Sequence, residues 1–287
     1  MEKRKMKPGA FLRRYIRVIA AGIVLLCIFM MAFFAPVIAT HDPMQTDMYN
    51  MNQLPNEEHI MGTDCYGRDL FSRIVYGSRM SLIISITVNV CAIVIGTCLG
   101  LLVGYFKWAD RIIMRILEGI RALPMIVFAI TLITVLGSGV DKLLICLTVV
   151  NLPGIARLVR SQVLSIREKE FVECAKANGA SNLRIMFKYI LPQCTSPLII
   201  RFTSGLGNTI LTQASLSFLG VGLDPRIPNW GGIINEAKNL VMIQPHQCGY
   251  AGLAIMITVL AFSIMGDGLR DILDPRWTDR QTERRPI

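Results

Sequence analysis

The sequence predicts an all-α polytopic membrane protein with six transmembrane helices, both termini cytoplasmic, and a paired-helix loop on the cytoplasmic side. Three observations lead there. Only 17% of the 287 residues are charged and 53% are hydrophobic, too little charge for an ordinary soluble domain. Uncharged apolar stretches long enough to cross a bilayer recur along the chain. The basic residues also alternate between the segments separating those stretches: 23 of the 30 Lys and Arg fall inside, 6 outside, and Arg201 falls within a span. Moving the assignment by one span inverts that ratio, so the positive-inside rule sets the orientation. The net charge of +10 follows from this topology, and no nucleic-acid-binding motif accompanies it.

Residues 1–17 are a cytoplasmic tail with seven Lys and Arg against the single acid Glu2. Residues 18–39 carry no charge over 22 positions, longer than the apolar core of a cleaved signal, and read as a retained first span. Residues 40–79 form an exterior lobe, with six acids against three bases and with Pro43, Pro55 and Gly62 punctuating it. At its end Leu70, Ile74 and Val75 predict a short amphipathic helix lying in the interface. The five-span core occupies 80–272. Its first helix lies within 80–106, where Gly96, Gly100 and Gly104 form a face for close helix approach. Pro124 kinks the start of the next span at about 122–136. A further span at about 143–159 is interrupted at Pro153 and Gly154, a hinge or the end of the helix. Spans at about 197–219 and 250–266 follow, separated by a second exterior segment. A cytoplasmic tail, 273–287, ends the chain.

Between the fourth and fifth spans lies a charged loop, 161–195, around which the chain is organised. Ser165 is a candidate helix cap, and Glu168, Glu170 and Glu173 place negative charge in the first turns, where the helix dipole favours it. Phe171, Cys174 and Ala175 at i, i+3 and i+4 predict a small apolar face. Gly179 supplies a left-handed end. Ser181 or Asn182 then caps a second helix over 183–190, which Pro192 closes.

At this loop the chain resembles the membrane-spanning permeases of ABC importers, whose signature reads Glu-Ala-Ala, three residues, Gly, nine residues, Ile-x-Leu-Pro. Glu173, Ala175, Gly179, Leu191 and Pro192 match in register; Cys174 stands for the first Ala and Tyr189 for the Ile. Gly62-Thr63-Asp64 with Gly67-Arg68-Asp69, Ala214-Ser215-Leu216-Ser217-Phe218-Leu219-Gly220, and Gly266-Asp267-Gly268-Leu269-Arg270-Asp271 with Asp274-Pro275 extend the likeness. Together they resemble the dipeptide, oligopeptide and nickel branch, in particular its C-type permease. The resemblance implies a multi-pass protein of the cell membrane that carries half of a translocation path. It also implies four kinds of partner. These are a second permease subunit forming a heterodimer, two cytoplasmic ATP-binding subunits, an external solute-binding protein and the surrounding lipid; nucleic acid is not among them. The loop, with Glu170, Glu173, Cys174, Ala175, Gly179, Leu191 and Pro192, would couple to the ATPases.

The residues themselves exclude several chemistries. No Gly-x-x-x-x-Gly-Lys-Ser/Thr occurs, so the chain has no phosphate cradle of its own, and no cofactor is expected. The three histidines, His41, His59 and His246, lack close metal-ligand spacing, and no metal site is expected. The fifth span is unusually polar: Ser204, Asn208, Thr212 and Ser215 form one stripe, read either as a path lining or as packing glue. Arg201 reads as a snorkelling residue. Asp267, Arg270 and Asp271 are either a paired helix terminus or an inner-face ATPase contact. Rivals are a nickel or metal-chelate permease, a membrane-embedded enzyme, for which an intramembrane catalytic cluster is missing from spans 1–5, and a structural membrane subunit. The substrate stays open at this level.

Overall fold

A computed structural model describes residues 8–273. Among them the fold is helical, and its only β pairing is an isolated bridge between Thr63 and Asp69. Of the two terminal tails, residues 1–7 and 274–287 lie outside the described residues, while 8–17 form the start of α1. The order is α1 (Pro8–Phe33), α2 (Ala35–Ile38), α3 (Leu70–Tyr105), α4 (Lys107–Ala122), α5 (Met125–Leu136), α6 (Val140–Ile166), α7 (Glu170–Ala177), α8 (Asn182–Arg184), α9 (Thr195–Phe218), α10 (Trp230–Ala237) and α11 (Pro245–Leu273).

Four helices, α1, α3, α6 and α11, are long and apolar enough to cross a membrane. The pair α4 and α5 counts as a fifth candidate only if its two helices form one span: they meet at a bend of 98°, where Pro124 can neither donate a hydrogen bond nor let Leu123 stay helical. With 12 residues, α5 reaches only ~18 Å, short of the ~30 Å hydrocarbon core. Helix α9, with 24 residues, is long enough at ~36 Å but is not among the helices apolar enough to cross. Its hydroxyl and amide side chains hold its hydropathy below that of the other four.

Three boundaries differ from the sequence expectation. Leu70, Ile74 and Val75 are not a separate interfacial helix but the first turns of the 36-residue α3, because Asp69 caps the chain there, its Oδ2 accepting from Ser72 N at 2.8 Å. Pro153 does not end α6, which runs on to Ile166. Ser165 therefore lies inside α6 rather than capping α7, whose N-cap, Lys169, makes no side-chain cap.

The core is built in layers from loop to lobe. Along the α3–α6 crossing a Cβ added at Gly96, Gly100 or Gly104 would lie 2.8, 2.6 or 2.5 Å from Ile155, Val159 or Val163, so the predicted glycine face does set the helix spacing. In the middle Ala21, Leu25, Leu206, Ile210, Ile255 and Phe262 join α1, α9 and α11. Towards the lobe Ile84, Val88, Ile133, Leu143, Leu147 and Leu216 join α3, α5, α6 and α9. The lobe is anchored by Trp230, fully buried against Gly77, with its Nε1 donating to Ile74 O at 3.1 Å.

Candidate functional site

Three places on this scaffold gather charged or polar side chains. The first is the charged loop. Gly179 has φ +76°; Gly179 N donates to Lys176 O at 2.9 Å and Ala180 N to Ala175 O at 3.0 Å. That is a Schellman ending, with Gly179 in the left-handed position the sequence predicts. Ser181 caps the second helix by accepting from Arg184 N. The second helix itself differs from expectation. After α8 the chain forms a π turn, Ile185–Ile190, and a 3₁₀ turn, Leu191–Cys194, and enters α9 without a break. Pro192 sits at the start of the 3₁₀ turn, where its missing N–H is tolerated, so it does not close the helix.

The buried face of α7 is also one residue off. Val172 and Ala175 point inwards, and Phe171 and Cys174 are exposed. Val172 packs with Ile185, Met186 and Ile190 against Val159, Val163 and Ile166, so the loop is a rigid extension of α6 and α9. Its exposed face presents Glu170, Glu173, Phe171, Leu183 and Phe187. Leu191 is half-buried and Pro192 exposed.

The second place is a cavity of about 530 Å³ between α4, α5, α6 and α9, lined by Arg121, Phe128, Asn151, Gly154, Arg201, Asn208 and Thr212 among others. It gathers Asn208 and Thr212 from the predicted stripe. Ser204 packs against Gly266 of α11 instead, and Ser215 is absent from the lining. The hydroxyls of Ser204, Thr212 and Ser215 bond back to Ile200 O, Asn208 O and Leu211 O of their own helix. Thr209, in contrast, is glue: Asn89 Nδ2 donates to its Oγ1 at 2.9 Å from α3. Arg201 does not snorkel away from the protein. Its guanidinium lies against Gly154, where an added Cβ would be 3.3 Å away, and helps to line this cavity. Sequence reading missed that because Gly154 is distant along the chain. At the loop end of α11, Asp267 and Arg270 are exposed and Asp271 is half-buried.

The third place is the lobe. Arg68 Nε lies 2.7 Å from Asp64, Arg68 Nη2 lies 2.6 Å from Glu236, and Arg73 Nη2 lies 3.1 Å from the same Glu236. Asp64, Arg68 and Arg73 are buried, and the Glu236 side chain is only 10% exposed. Burial pushes the Glu236 carboxyl up, and the guanidiniums of Arg73 and Arg68 oppose that rise. The Gly62/Gly67 turns also bring His41, His59 and Asp69 together, a set that sequence spacing conceals.

A bundle of membrane-long helices with a rigid basic loop at one end, a polar cavity within it and a clamped lobe at the other defines a transporter's membrane-spanning subunit. The chain belongs to the family described as binding-protein-dependent transport system inner membrane component, matched over residues 92–279. Residues 11–55 match the N-terminal TM domain of oligopeptide transport permease C. The chain is 42% identical over 268 residues to the glutathione transport system permease protein GsiD of Pectobacterium atrosepticum, covering 93% of this chain and 89% of that one. It is 41% identical over 257 residues to the dipeptide transport system permease protein DppC of Alkalihalophilus pseudofirmus, covering 89% and 84%. Its fold is similar to a chain of the MetNI methionine ABC transporter, with TM-score 0.59 and 21% identity over 70% of this chain and 96% of that one. It is therefore an ABC importer permease of the cell membrane, as its motifs lead one to expect.

Proposed function

We propose that this chain is the C-type permease of an ATP-driven importer of short peptides. It pairs with a second permease, receives substrate from an external solute-binding protein at the lobe, and is driven by two separate ATP-binding subunits at the loop. The observation carrying the substrate class is the similarity, above 40% identity over about nine-tenths of the chain, to both a dipeptide and a glutathione permease. Glutathione is itself a tripeptide. Calorimetry of the cognate binding protein, with uptake into proteoliposomes, tests the assignment. Binding and uptake of di- or tripeptides are expected. Tight binding of a nickel chelate with no peptide binding would replace this reading by the nickel one.

Coupling runs through the loop. Glu173, Gly179 and the exposed Phe171, Leu183 and Phe187 form the knob that ATPase closure displaces, and the Val172–Ile185–Met186 core passes the movement to α6 and α9. Asn208 and Thr212 line the path. An added Cβ at Gly179 meets nothing within 4 Å, so a substitution there tests backbone conformation alone. A left-handed L-residue costs roughly 1–2 kcal/mol, about 5–30-fold in an equilibrium. Gly179→Val is expected to lower uptake and binding-protein-stimulated ATP hydrolysis together within that range, leaving basal hydrolysis unchanged. Gly179→Asn, which tolerates the left-handed region, should retain most of both. Wild-type stimulation in an assembled Gly179→Val complex would remove the loop from the coupling path.

A further inference from the structure

We propose that His41, His59 and Asp69 form a binding site for a divalent transition-metal ion, Zn²⁺ by its donor set, at the root of the exterior lobe. One ligand atom from each residue lies within 4.8 Å of the others. His59 Nδ1 is 2.9 Å and His41 Nδ1 3.9 Å from the same Asp69 oxygen, Oδ1. In tetrahedral Zn²⁺ coordination, with bonds of ~2.0–2.1 Å, neighbouring ligand atoms stand ~3.3 Å apart. The two distances to Oδ1 bracket that value, and a swing of the His41 ring, releasing Nδ1 from Thr40 Oγ1 at 3.1 Å, closes the wider gap. His41 can make that swing: its side chain is 35% exposed, while its backbone N is held by Ser72 Oγ at 3.0 Å.

Charge and support point the same way. The Asp69 side chain is fully buried, and neither lobe arginine on its flank pairs with it, since Arg68 and Arg73 are engaged by Asp64 and Glu236. Two imidazoles face it instead, and a buried anion stabilised by a bound cation is the arrangement that offsets desolvation. The second oxygen, Oδ2, is fixed by Ser72 N at 2.8 Å and Thr40 Oγ1 at 3.3 Å. These contacts orient the carboxylate as outer partners orient metal ligands. The donors, two imidazoles and one carboxylate, are those of three-ligand Zn²⁺ sites that keep water in the fourth position. A cavity of about 650 Å³, lined by His41 and Thr40 with Asp42, gives a route in. Because Asp69 also caps α3, a bound ion would pin the segment after α2 to the start of that long helix.

The test uses the full chain, purified with its partner subunits in lipid nanodiscs and stripped with chelator, then titrated with Zn²⁺ alone. One Zn²⁺ per chain is expected, with X-ray absorption showing nitrogen and oxygen ligands. His41→Ala should weaken binding beyond the ~10–100-fold that loss of an outer partner costs. Asp69→Asn should do the same while keeping the helix cap, because Asn caps as well as Asp. If His59→Ala fails to fold, the half-exposed His41 and the cap-preserving Asp69→Asn still decide the matter. Sulfur ligation, no Zn²⁺ bound beyond the level of the His41→Ala assembly, or equal affinity in wild type and variants would each leave a plain His59–Asp69 hydrogen bond and overturn the site.

Discussion

Glu236 reaches from α10 into the lobe, and two buried guanidiniums meet it there. Removing one member of such a network strands the others without solvent, a loss of ~3–5 kcal/mol. Glu236→Ala is therefore expected to lower the thermal unfolding midpoint of the purified chain sharply. The bidentate Arg160–Asp110 pair, at 2.7 Å in both bonds, makes the comparison. Its side chains are about 30% exposed, so Asp110→Asn should cost ~1 kcal/mol or less. A Glu236→Ala midpoint shift no larger than that of Asp110→Asn would mean that water reaches the lobe network. Arg68 and Asp64 were visible in the sequence as parts of one motif. Their partner Glu236 was not, because it is joined to them only by the packing of Trp230 against the start of α3.

At the scale of elements, the α3–α6 crossing is a demanding contact. Gly100→Ala would press a methyl against Val159 Cβ at 2.6 Å and Ala156 O at 2.8 Å, and backbone cannot yield cheaply. Overpacking of this kind costs ~1–3 kcal/mol. Gly119→Ala in α4 meets nothing within 4 Å and should be neutral or mildly stabilising, since Ala is the better helix former. Thermal unfolding of the two variants side by side checks this, and equal midpoints would contradict the close crossing. The glycine spacing made this contact legible, since every fourth residue returns to one helix face. The register of α7 was not legible in the same way. Phe171, Cys174 and Ala175 and the pair Val172 and Ala175 both satisfy helical spacing, and only the core formed by Ile185, Met186 and Ile190 selects between them. The π turn before Leu191 likewise has no local signature in this chain.

For the whole molecule, orientation is the testable quantity. Cys65 lies in the acidic lobe and Cys174 on the basic loop, and all eight cysteines are free. An impermeant thiol reagent on intact cells should label Cys65 and spare Cys174 until the membrane is permeabilised. Burial, then Asp64 and Glu236, push the Cys65 thiol above its usual range, so its labelling should be slow at neutral pH and quicken under alkaline conditions. Labelling of Cys174 alone in intact cells would invert the topology.

What the amino-acid sequence determined by itself was the helical class and the left-handed Gly179 of the loop, and it gave the expectation of sidedness that the labelling tests and of family that the relatives bear out. Each of these is written in local pattern: apolar length, charge alternation, a turn residue, a motif. Tertiary structure alone decided that Arg201 faces a cavity with Asn208 and Thr212, and that α6 continues through Pro153. It alone joined Glu236 to Arg68 and Arg73, and His41 to His59 and Asp69. Those outcomes depend on which faces meet across many residues of separation, and helical periodicity limits the candidate faces without choosing among them.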